Sequence, residues 1–130
     1  MQAKRLLILL LSGAVVGGCA SAQFAGPARP VGPPRAARRD LEETFERALG
    51  RVAELRYDEA ATALEPLIRA FEAADRPARA AEAAFWTGYC HEKRGRRPEA
   101  RRLYSRVIAA FPGTPAARQA RARRARMQPP

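Results

Sequence analysis

Apolar side chains return every three or four residues from Leu41 to Phe111, with interruptions by glycine, proline and acidic residues. Leu41, Phe45, Ala48, Leu49 and Val52 share one helical face, and Asp40 with Glu43 has capping-box spacing at its start. A second helix begins near Asp58 and presents Ala60, Ala61, Leu64, Leu67, Ile68 and Phe71. Pro66 inside it deletes one hydrogen bond and is expected to bend it. After the break Asp75-Arg76-Pro77, a third helix carries Ala81, Ala84, Phe85, Gly88 and Tyr89 and stops at Gly95. Pro98 opens a fourth, with Ala100, Leu103, Tyr104, Val107, Ile108 and Phe111 on its face. Thr114 and Pro115 supply a hydroxyl cap and a first-turn proline for a fifth, AARQARARRARM.

The helices repeat in pairs. Residues 58–71 align with 98–111 at a shift of 40, and the small-to-large apolar spacing is kept at every core position. A period of this size in helical hairpins predicts a solenoid, each pair covering its neighbour's apolar face. Residues 81–112 resemble the tetratricopeptide repeat: Gly88, Ala100, Tyr104 and Pro112 stand at its small, alanine, aromatic and proline positions, with Gly95 in the turn. The chain departs from that pattern at Ala84, Thr87 and His91, and Trp86 is two positions from the family's tryptophan, so that role is not carried over. Residues 41–71 match more weakly. The resemblance implies an all-α, right-handed helical-hairpin solenoid of about five helices. It also implies a concave groove whose positions here are Glu82, Phe85, Tyr89, Glu92 and Lys93, which stack on one helical face. Phe85 and Tyr89 serve equally as packing against the preceding pair.

Composition agrees with an all-α reading. Alanine accounts for 29 residues, against three isoleucines and five valines, which leaves little material for a β-sheet core.

Before the repeats, Lys4 and Arg5 precede the apolar run LLILLLSGAVVGG and a small-residue stretch. Thirteen apolar residues suit a secretory signal, since a membrane-spanning helix needs about 20; an uncut signal-anchor is the alternative. Val16-Gly17-Gly18-Cys19 resembles the lipobox of bacterial lipoproteins. That likeness implies cleavage before Cys19 and acyl chains on that residue, and Ala20, where an inner-membrane protein commonly has Asp, points to the outer membrane facing the periplasm. Residues 20–39 hold four prolines, four arginines and no acid, and read as an extended tether, with Arg35 to Arg39 either solvated or touching anionic headgroups. The chain thus divides into a signal peptide (1–18), lipidated Cys19 and tether (19–39), repeat module (40–127) and tail (128–130). The ending FPGTPAARQA also resembles junctions in repeat lipoproteins of the Tol-Pal-associated and outer-membrane assembly kinds.

Catalytic chemistry finds no foothold. Cys19 and Cys90 are 71 residues apart with no ligand-spaced partner, and His91, the single histidine, lacks the second imidazole of a zinc-protease motif. His91 reads as a surface or groove residue and Cys90 as a small buried one. Ser105 has no base nearby in sequence, and no phosphate-binding loop exists, so neither an enzyme nor a cofactor or metal is expected. Charge is more telling. Residues 1–93 carry 13 basic and 12 acidic side chains, while residues 94–130 carry 11 arginines against Glu99 alone. Arg118, Arg121, Arg123 and Arg124 are the candidate contacts for an anionic partner, with compositional bias as the equal alternative. Export argues against nucleic acid. The expected function is a lipid-anchored, non-catalytic adaptor binding another envelope protein, with self-association left open. The alternative is a structural envelope component whose arginine-rich end grips anionic polymer or lipid.

Overall fold

The computed structural model describes residues 32–128. The signal peptide, the Cys19 acceptor, the tether up to residue 31 and residues 129–130 of the tail lie outside the described residues. Five helices follow in order: α1 (Arg35–Ala53), α2 (Tyr57–Ala73), α3 (Pro77–Lys93), α4 (Arg97–Ala110) and α5 (Pro115–Arg126). The fold is an all-α helical-hairpin solenoid, with α1/α2 and α3/α4 as hairpins and α5 packed after them on α4 and α3.

Local signals decide most helix ends. Pro77, Pro98 and Pro115 occupy first-turn positions, and the Thr114 hydroxyl accepts from the Ala117 N–H at 3.2 Å. The first helix departs from expectation. It begins at Arg35, so residues 35–39 are helix rather than extended tether, Asp40 and Glu43 are helix interior rather than a capping box, and the Asp40 carbonyl accepts from the Thr44 hydroxyl at 2.7 Å. Arg35-Ala36-Ala37-Arg38-Arg39 are strong helix formers behind Pro34, and their summed propensity outweighs one local cap. In α2 the helix runs through Pro66, which lies on the exposed side.

The first three helices end in the same turn. Leu55, Asp75 and Gly95 take left-handed φ values of 63°, 56° and 75°. Each following N–H, on Arg56, Arg76 and Arg96, donates at 2.9 Å to the carbonyl five residues back, on Arg51, Phe71 and His91. Only Gly95 adopts this backbone without steric cost.

The helix α3 sits at the centre. It packs on α2 and α4 and also touches α1 and α5. It is therefore buried nearly all round, through Ala80, Ala81, Ala83, Ala84, Phe85, Thr87, Gly88 and Cys90, where the sequence pattern marked one face. Gly88 permits the close approach of α4, because a Cβ there would stand 2.9 Å from Tyr104 Cε1 and 3.3 Å from Leu103 Cβ. Tyr104, fully buried, fills the space that Gly88 leaves. Ile68 and Phe71 are buried under α3, but their repeat equivalents Ile108 and Phe111 are only half-buried. The shorter α5 buries only Ala116, Ala117 and Ala120 of its own residues, with Met127 just past its end.

Candidate functional site

The first helices of successive pairs line one side of the solenoid, because α1 touches α3 and α3 touches α5. Between α3 and α5 this side opens into a groove of about 350 Å³, lined by Phe85, Trp86, Tyr89, Gln119, Ala122, Arg123 and Arg126. Its floor is aromatic. Trp86 meets Phe85 and Tyr89 edge to face, each with ring centroids 5.4 Å apart. Tyr57, at the start of α2, extends the cluster, 6.2 Å from Tyr89. Its α5 wall follows from helical spacing: Gln119, Ala122, Arg123 and Arg126 fall at i, i+3, i+4 and i+7.

One carboxylate ties the groove together. Glu92 accepts from the Tyr104 hydroxyl at 2.7 Å through Oε2 and from Arg123 at 3.1 Å through Oε1. Arg123 lies 4.6 Å over the Tyr89 ring, and Lys93 lies 5.3 Å from the same ring. Burial first, then the bond to Glu92, holds the Tyr104 phenol well above its ordinary range, so it remains a donor.

The expected groove residues divide. Tyr89 is half-buried in the groove, and Glu92 and Lys93 stand at its α3 end. Phe85 is both wall and core, 5% exposed and 5.7 Å from the Tyr104 ring. Glu82 is turned toward Arg79, which donates to it at 2.7 Å. Trp86, Gln119, Ala122 and Arg126 were missed. Trp86 was legible, since it is four residues past Glu82 and three before Tyr89, on the same helical face.

The four expected anion-contact arginines do not share a face. Arg118, Arg121 and Arg124 follow one another at three-residue spacing, with Arg118 and Arg121 exposed and Arg124 donating to the Ser105 hydroxyl at 3.3 Å. Arg123 turns instead into the groove. Nor is His91 a surface or groove residue. It is buried against α2, with Nε2 3.5 Å from Glu65 Oε1 and Nδ1 without a hydrogen-bond partner among the described residues. Cys90 is fully buried as expected, and burial pushes its thiol up to about 11. No His, Cys, Asp or Glu cluster suited to a metal occurs among the described residues.

Among known families, the model described as tetratricopeptide repeat matches residues 45–115, more than half of the chain. Neither a curated protein nor a solved structure matches.

Proposed function

The chain belongs to the tetratricopeptide repeat family, and from that premise we propose that it is a non-catalytic, lipid-anchored adaptor that holds another cell-envelope protein in its α3–α5 groove. Tetratricopeptide repeats generally mediate protein–protein interaction. The observation that carries the reading is the aromatic floor of that groove, where Trp86 and Tyr89 remain half-exposed beside Arg123 and Glu92. Aromatic anchors rimmed by polar residues are the usual makings of a binding hot spot. The lipobox-like Val16-Gly17-Gly18-Cys19 supports acylation of Cys19, and Ala20 supports an outer-membrane address facing the periplasm. Two or more acyl chains hold a protein stably on a bilayer, which raises the local concentration of anything the groove binds.

Two variants of the full-length chain test this. Cys19→Ala is expected to move the protein from the membrane to the soluble fraction, and continued sedimentation with membranes refutes the anchor. Trp86→Ala is expected to lose partners captured from solubilised envelope while keeping helical content. Unchanged capture refutes the groove.

A second reading has its own observation. Arg118 and Arg121 are exposed and have no carboxylate partner among the described residues, which suits contact with anionic polymer or lipid. Such gripping would fall steeply with ionic strength and survive Trp86→Ala.

A further inference from the structure

Resting on the groove as the protein-binding site, we infer that it selects an acidic, extended segment carrying one large apolar side chain. The apolar requirement comes from the floor. Phe85, Trp86 and Tyr89 form a continuous edge-to-face row, and Ala122 opposite them on α5 leaves the space between unfilled. A groove of about 350 Å³ has room for one large apolar side chain together with the backbone on either side of it.

The acidic requirement comes from charge accounting around that floor. The cations are Arg123, Arg126 and Lys93. Of the α3 carboxylates, Glu82 is turned to Arg79, and both oxygens of Glu92 are committed, one to Arg123 and the other to the Tyr104 hydroxyl. Arg126 is exposed and has no carboxylate partner among the described residues. Arg123 is held in place by Glu92 and by its stacking on Tyr89, so its remaining N–H groups are presented without much further ordering. An incoming segment therefore meets an uncompensated positive rim along α5 and the end of α3. The segment that precedes α1 is the wrong occupant, because residues 20–34 carry Arg29 and no acid. Stacking on aromatic rings beside arginine also suits single-stranded nucleic acid. Membership of a family that binds proteins favours the peptide.

Trp86 is the single tryptophan of the chain, so its emission reports on the groove. The full-length chain is titrated with a synthetic peptide in which one leucine is flanked by Asp and Glu. Parallel titrations use the same peptide with Asn and Gln, with Lys, and with serine in place of leucine, and also oligothymidylate. At low salt the acidic leucine peptide is expected to bind about tenfold tighter than the Asn/Gln version, with the gap closing as salt rises. The serine version is expected to leave Trp86 emission unchanged, and Arg126→Glu, at an exposed position, to abolish the acidic preference without altering helical content. Equal or tighter binding of the neutral or basic peptide, or of oligothymidylate, overturns the inference. If the neutral leucine peptide binds best, the charge selection fails while the groove stands. If Trp86 responds to no peptide, both fail.

Discussion

Replacing Phe85 and Tyr89 separately by alanine distinguishes a core ring from a groove ring four residues along the same helix. Phe85 is 5% exposed, with its ring 5.4 Å from Trp86 and 5.7 Å from Tyr104. Emptying such a site costs about 3–5 kcal/mol, the lost transfer energy plus the cavity left behind. At about 4–8 °C per kcal/mol for a domain of this size, Phe85→Ala lowers Tm by at least about 12 °C. Tyr89 is half-buried, and its ring contacts are with Tyr57, Trp86, Lys93 and Arg123 at the groove edge. Its removal leaves an open surface rather than a sealed cavity, and the expected loss is about 1 kcal/mol, within the ordinary range of single substitutions. Thermal unfolding followed by far-UV circular dichroism measures both, and the Trp86 titration with the acidic leucine peptide measures groove function alongside. The expected pattern is a destabilised Phe85→Ala and a folded Tyr89→Ala with weakened binding. A Tyr89→Ala protein that melts as low as Phe85→Ala would show both rings to be core and refute the division.

Three further outcomes are expected. Leu55→Gly, at an exposed left-handed position, gains about 0.5–1 kcal/mol in urea unfolding, whereas Gly95→Ala in the equivalent turn loses about 1 kcal/mol; shifts of the opposite sign contradict the turn assignment. Cys90 resists thiol reagents near neutral pH except as fast as the native state opens, because burial holds it protonated up to about 11. The unfolded thiol ionises first, so this group draws stability down as pH climbs from about 9 toward about 11, and rapid native labelling at neutral pH would sink the account. Tyr104→Phe removes the hydroxyl donor to Glu92 at a cost of about 1–2 kcal/mol and couples to Arg123→Ala in a double-mutant cycle, whereas strict additivity would mean Glu92 does not link them.

The sequence by itself determined the helices and their pairing. Proline at positions 77, 98 and 115, threonine at 114 and glycine at 95 act on the backbone within a few residues, and the structure uses each as a helix start, cap or stop. The 40-residue self-similarity and the Gly88–Tyr104 complement likewise expressed a packing rule in residue size, and a helical-hairpin solenoid follows from them.

Tertiary structure decided what lies farther apart along the chain. Leu55 carries no local signal for a left-handed turn, and Asp75 only the tolerance of a short polar side chain, yet the packing of the next helix requires the turn that Gly95 forms freely. The asymmetry between Ile68 and Ile108 depends on how much area the following helix offers, not on either residue. The groove depends on Glu92 meeting Tyr104 and Arg123, 12 and 31 residues away, and on α5 presenting Arg123 and Arg126 to the rings of α3. His91 is buried because α2 closes over that side of α3. Backbone preferences act within a turn or two of helix and can be read from neighbouring residues. Which face of one helix meets which face of another is set by side-chain interdigitation across the whole array, and that is known only once every helix is in place.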